Sequence, residues 1–242
     1  MSETTVALVT GATRGIGYEI ARGLGATGAT VLVGARDLAR GTTAAERMAA
    51  EGLTALAVEL DVTDPVSISA AAARIDREYG RLDILVNNAG ILLERGQPPS
   101  LTPVELLART YATNVFGVVA VTNALLPLLR RAPAGRIVNL SSGLGSLTLT
   151  ADPEHEYARL PLLAYNSSKS ALNAVTVSYA NELRDTPIKV NAADPGYCAT
   201  DMNGHSGPRT PAQGATVAVR LATLPADGPT GGFFDEDGAL PW

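Results

Sequence analysis

Short runs of apolar, β-branched residues alternate along this chain with longer stretches in which apolar positions recur every three or four residues. That alternation is the pattern of βαβ units stacked around a parallel sheet. Val6–Val9 predicts a first strand, a helix follows with Ile16, Ile20 and Leu24 on one face, and Gly28 leads into a second strand at Thr30–Val33. An Ala-rich helix over 38–50 and a third strand at Ala55–Val58 come next. Asp64 is placed to cap, and Pro65 to open, a helix whose face is Ile68, Ala72, Ile75 and Tyr79 and which ends at Gly80. Leu82–Val86 predicts strand four, and a long helix from about Pro103 carries Val104, Leu107, Tyr111, Val115, Val118 and Thr122 at helical spacing. Arg136–Leu140 reads as strand five, a helix around Tyr165 runs to about Arg184, and Ile188–Asn191 reads as strand six. Thr210-Pro211-Ala212-Gln213 has the capping-box pattern of a last helix, and Gly231–Phe234 ends the sheet as a seventh strand.

Six to seven parallel strands with helices on both faces make a doubly wound α/β (Rossmann) sheet, whose ligands sit at the carboxyl ends of the strands. The 242 residues fit one such domain, 1–242, with no internal repeat beyond the βαβ alternation. Charged residues are spread through the chain and no apolar run approaches the roughly 18 residues of a membrane span, so no membrane association is expected. Met1-Ser2-Glu3-Thr4-Thr5 lacks the charged-then-apolar layout of a secretion signal, which places the protein in the cytoplasm. The lone cysteine, Cys198, leaves neither a disulfide nor a zinc framework, and no metal is expected. A net charge of -5 without a basic stripe argues against nucleic acid as a partner.

Candidate chemistry begins at the first turn, Thr10-Gly11-Ala12-Thr13-Arg14-Gly15-Ile16-Gly17. Its glycines are spaced G-x-x-x-G-x-G, a departure from the commoner G-x-G-x-x-G. The physical need is the same, since backbone amides at a helix N-terminus must come up to a pyrophosphate without side chains in the way. The alternative is an ordinary glycine-rich turn. An acid at the tip of strand two would accept hydrogen bonds from the ribose of NAD, but that tip reads Gly34-Ala35-Arg36. Arg36, with Arg14 from the glycine turn, instead suits the 2′-phosphate of NADP(H). Against this stands a reading in which both arginines are solvated and Asp37 binds the ribose, although Asp37 is better placed as a helix N-cap. Asp61 and Val62, past strand three, could bracket an adenine. Asn87-Asn88-Ala89-Gly90, past strand four, could let a cofactor lie close to the backbone; both segments could equally be plain turns.

Tyr165 and Lys169 stand four residues apart, so on a helix they share a face and the ammonium can act on the phenol. A tyrosine pKa near ~10 must fall by about three units, roughly 4 kcal/mol, for the phenol to serve as a base at neutral pH. One lysine supplies about 1–3 units, so an oxidised nicotinamide should help, whereas carbonyl reduction needs only a neutral phenol that donates as charge builds on oxygen. Ser141 and Ser142, at the end of strand five, offer a hydroxyl to the same oxygen.

Together TGATRGIG at 10–17, NNAG at 87–90, Asn114, NLSS at 139–142, YNSSK at 165–169 and PGYCATDM at 195–202 resemble the short-chain dehydrogenase/reductase family over the whole chain, in order. Within it the chain is most similar to the NADPH-dependent carbonyl reductases, on ARDLARG after strand two, PGYCATDM and the ending FFDEDGALPW. The resemblance implies that Tyr165 is the proton donor, that Ser142, the second of the pair, holds the carbonyl oxygen, that Lys169 binds the nicotinamide ribose and that Asn114 anchors a proton-relay water; read from the residues alone, Tyr165 and Lys169 could be an ordinary exposed pair and Asn114 equally a helix bend or a satisfied core amide. Pro195, Gly196, Cys198 and Thr200 would flank the cofactor, with Thr200 on the nicotinamide carboxamide. The small-molecule partner would be a ketone or aldehyde. Family members pair through their long helices, and whether this chain does depends on residues 143–164, a 22-residue stretch that could block that face. This stretch is expected to cover the substrate pocket, with Tyr197 as another wall. His155 within it either meets substrate or, on the simpler reading, lies among surface acids.

Overall fold

A computed structural model describes residues 4–242. Seven parallel strands form one sheet in the order β3-β2-β1-β4-β5-β6-β7: Val6–Thr10, Thr30–Ala35, Ala55–Glu59, Ile84–Asn87, Arg136–Leu140, Lys189–Ala193 and Phe233–Phe234 for β1 to β7. The chain winds outward from β1 to β3, then returns to add β4 on the other side of β1. That reversal opens a crevice at the carboxyl ends of β1 and β4, where a doubly wound sheet takes its ligand.

The helices α1 (Gly15–Ala26), α2 (Leu38–Ala50) and α3 (Pro65–Tyr79) connect the first four strands. Their limits follow local chemistry. The Asp37 carboxylate accepts the Arg40 N–H and caps α2, as its place before the helix predicts. Asp64 accepts from Val66 and Ser67, Pro65 opens α3, and Gly80 closes it at φ 69°. At the far end α8 (Pro211–Ala222) has the expected reciprocal cap between Thr210 and Gln213.

Successive residues of β1 face opposite sides. Ala7 and Val9 enter the core beneath α1, α2 and α8, and Val6 and Leu8 the core on the other face, against Ile75 of α3. The predicted long helix is present as one continuous rod, Val104–Leu129, with a π turn inside it. α4 (Val104–Tyr111) passes through a π turn at Ala112–Gly117 into α5 (Val118–Leu129). By length and composition Val104–Leu129 is apolar enough to cross a membrane, but half of its most apolar window is buried inside the protein, as befits a core helix. Residues 143–164, read as a covering stretch from sequence, hold the short helix α6 (Leu147–Ala151) and two 3-10 turns before α7 (Leu163–Glu182).

Candidate active site

The glycine turn after β1 is built by contacts that leave no room for side chains. Gly11 and Gly15 have φ of 65° and 58°, which a larger residue rarely adopts. A Cβ on Gly17 would run into the Asn88 amide and come within 2.6 Å of the Gly11 carbonyl. Asn88 holds the turn from β4: its amide donates to the carbonyls of Thr10 at 2.8 Å and Gly11 at 3.2 Å, while the N–H groups of Asn88 and Ala89 donate to the Thr10 hydroxyl. α1 then starts with Arg14 in extended conformation and no side-chain cap. Its first N–H groups, beside Thr13 and Ile16, have no intrahelical acceptor and face the crevice.

Arg36 is exposed at the tip of β2, and its charge helps hold the Asp61 carboxyl below the usual range, after the larger effect of hydrogen bonds from Thr63. Asp61 is thus tied into its own turn, and Val62 packs against Gly117 of the π turn, where a Cβ would meet it. Arg14 forms an ion pair with Asp201 at 2.6 Å. Two arginines that sequence reading passed over, Arg40 and Arg47, line one hollow with Arg14, Thr13 and Thr43 beside the glycine turn. The signal for Arg40 was present in ARDLAR: a residue four beyond Arg36 and one helical turn into α2.

At the ends of β5 and β6 the catalytic candidates converge. The Ser142 hydroxyl accepts the Leu144 N–H at 3.3 Å and lies close enough to the Tyr165 phenol to lower its pKa. Ser141 is buried and donates to Asn173 at 2.6 Å, so it serves the scaffold. Lys169, also buried, donates to the Leu140 carbonyl at 2.7 Å, with its ammonium 5.5 Å from the centre of the Tyr165 ring. Burial pushes its pKa down to about 8, opposed by Asp194. Burial, then the Asp194 charge, pushes the Tyr165 phenol up to about 12, against the opposing effect of the nearby Ser142 hydroxyl. The protonated phenol is therefore strongly favoured.

Asn114 lies within the π turn, and its amide is fully engaged. The oxygen accepts the Ile91 N–H at 2.8 Å; the nitrogen donates to the Ile91 carbonyl and to the Ser168 hydroxyl, both at 3.0 Å. A Cβ on Gly90 would stand 3.5 Å from that oxygen and 3.7 Å from the Lys169 ammonium, so Gly90 is the thin wall between them. π turns leave carbonyls without regular partners and recur at functional sites.

Asp194 escaped sequence reading because it directly precedes the recognised Pro195-Gly196. It is buried, accepts the Gly196 N–H at 2.9 Å and has its carboxylate beside Gly143 at the end of β5; burial raises its pKa. Tyr157 lies over Gly143, where a Cβ would meet its hydroxyl at 2.9 Å and the Asp194 carboxylate at 3.0 Å. Tyr157, from the 143–164 stretch, thus reaches the site. His155 instead accepts the Tyr157 N–H on Nδ1 and packs edge-on against that ring at 4.6 Å. Beyond Pro195, Tyr197 is exposed and hydrogen-bonds Ser206, and Cys198 is buried with its thiol toward the Pro195 carbonyl. Thr200 lies across the groove from the glycine turn, its methyl 3.7 Å from where a Cβ of Gly15 would be.

The family model described as short chain dehydrogenase matches residues 5–210. Carbonyl reductase (NADPH) 1 of Bos taurus is 35% identical over an alignment covering 100% of this chain and 99% of that protein. The short-chain dehydrogenase anuI of Penicillium roqueforti is 38% identical over 89% of this chain and 87% of its own. Among solved structures, NADPH-bound carbonyl reductase from chicken fatty liver superposes with a TM-score of 0.85 at 28% identity, covering 100% of both chains.

Proposed function

This chain belongs to the short-chain dehydrogenase family, and on that premise we propose that it is an NADPH-dependent reductase that converts a ketone or aldehyde into an alcohol. The observation that carries this reading is the convergence of Tyr165, in the first turn of α7, with Ser142 just past β5 and a buried Lys169 whose ammonium stands 5.5 Å from the Tyr165 ring. The relatives named for NADPH-dependent carbonyl reduction support it across the full chain.

The residues present fit the cofactor. A glycine turn that any Cβ would fill and an uncapped α1 N-terminus suit a pyrophosphate. Arg14, Arg40 and Arg47, which line one hollow beside it, and the exposed Arg36 at the tip of β2 offer cations for a 2′-phosphate. When bound, NADPH supplies the hydride. Ser142 and Tyr165 orient the substrate by donating to its carbonyl oxygen, and both hydrogen bonds strengthen as negative charge builds there. Tyr165 gives up its proton to that oxygen. Lys169 binds the ribose and, as an ammonium, stabilises the phenolate left behind. The π turn around Asn114 can hold a water that returns a proton to this pair. A phenol that burial keeps protonated at neutral pH starts in the form that donation to a carbonyl oxygen requires.

The test is cofactor consumption by purified protein across ketones, aldehydes, quinones and polycyclic carbonyls, with NADPH and with NADH. Turnover of one class with NADPH preference is the expected result. Tight NADPH binding with no turnover on any class would favour a redox sensor instead.

A further inference from the structure

Every helix start needs partners for its first N–H groups, and α7, which carries Tyr165 and Lys169, has no local cap. Leu162 precedes it with no side-chain hydrogen bond. The partner comes from 70 residues away. One carboxylate oxygen of Glu94 accepts the Ala164 N–H at 3.0 Å and the other accepts the Tyr165 N–H at 2.8 Å. Glu94 is only 7% exposed, so these charge-assisted bonds form out of water, with the carboxylate at the positive end of the helix.

The carbonyl side of the same residue is held as well. The Tyr165 carbonyl accepts from the Ser168 hydroxyl at 2.7 Å, and Ser168 in turn accepts from Asn114. Asn114 is clamped to Ile91, three residues before Glu94 in the segment that follows the cofactor-facing Asn88-Ala89-Gly90. A closed circuit therefore runs from Glu94 through the Tyr165 backbone, Ser168, Asn114 and Ile91 back to Glu94.

We propose that Glu94 is a positioning residue for catalysis, fixing the Tyr165 backbone, and through it the phenol, in register with Ser142 and the cofactor floor. It touches neither substrate nor cofactor and acts through Tyr165. Two acceptor oxygens are required, because a glutamine offers only one and turns its own N–H₂ toward the second donor. The inference rests on Tyr165 being the proton donor.

The experiment compares Glu94→Gln and Glu94→Ala, each alone and combined with Tyr165→Phe, measuring kcat, KM, NADPH Kd and thermal midpoint. Misplacement of a reacting group by about an ångström costs on the order of 100-fold. Glu94→Ala is therefore expected to lower kcat by about 10- to 100-fold and Glu94→Gln by a smaller factor, each with NADPH Kd within about twofold. On the Tyr165→Phe background, removing Glu94 should leave the residual rate unchanged, because the positioned group is already gone. An unchanged kcat, a parallel loss of NADPH binding, or a loss that multiplies with that of Tyr165→Phe would overturn the proposal. Should Glu94→Ala not fold, Glu94→Gln decides by the same criteria. Full activity in Tyr165→Phe would instead overturn the assignment of the acid, a result distinct from any of these.

Discussion

The starts of α1 and α7 look onto the same crevice, and they treat their unpaired N–H groups in opposite ways. α1 begins without a side-chain cap, and glycines clear the space in front of it. α7 begins with both oxygens of a buried glutamate seated on its first turn. The same backbone donors are thus left unpaired at one helix and used up as a construction joint at the other. On the proposed function, the open end takes the anionic cofactor and the sealed end mounts the reacting side chain.

Breaking the sealed side at its tip should have the largest effect. Tyr165→Phe is expected to lower kcat by about 100- to 10,000-fold, the range for loss of a general acid, with NADPH Kd within about twofold in fluorescence titration. At the open end, Gly17→Ala puts a methyl group into the Asn88 amide and the Gly11 carbonyl. Overpacking of that kind costs about 1–3 kcal/mol, and NADPH affinity should fall by roughly 10- to 100-fold while the mount of Tyr165 stays intact. A normal affinity would mean that the turn is not the pyrophosphate site.

Smaller changes sharpen the contrast. Arg36→Asp and Arg40→Ala should each weaken NADPH by about tenfold, the worth of roughly 1.4 kcal/mol, and leave NADH nearly unaffected; equal losses for both cofactors would remove the 2′-phosphate from these arginines. The pH profile is the finest probe. With the phenol near 12 and Lys169 near 8, reduction should be flat through neutrality and decline as pH rises through about 8, when the ammonium is lost. The Asp194 charge raises both pKa values, so Asp194→Asn should move that alkaline limb to lower pH. An unmoved limb would show that the buried carboxyl is uncharged in this range.

What could be read from the sequence was whatever is written locally. Asp64-Pro65 with Gly80, and Thr210 with Gln213, carry both partners of their hydrogen bonds within a few residues, and the helix limits follow from them. The strands were legible because parallel strands buried on both faces must be apolar runs. Tyr165, Lys169 and Ser142 were legible as residue types in order, and the fold brings them together. Glu94 was not, because its partners lie 70 residues on and nothing around it forms a pattern. Tyr157 and His155 exchanged importance for a related reason: which ring turns inward in an irregular stretch depends on contacts with Gly143 that no periodicity encodes. The π turn was hidden by residues that suit an α-helix equally well.

That turn sets a phase relation between two rods. Each residue of an α-helix advances the face by about 100°, and a π turn inserts one residue more than the helix needs. α4 can therefore lean on α7 while α5, continuous with it, leans on α3. Excising Thr113 would restore a regular helix and swing the apolar side of α4 by about 100° away from the helix that bears Tyr165. One surplus residue acts as a phase shifter, letting a single rod serve the core at one end and the reaction centre at the other.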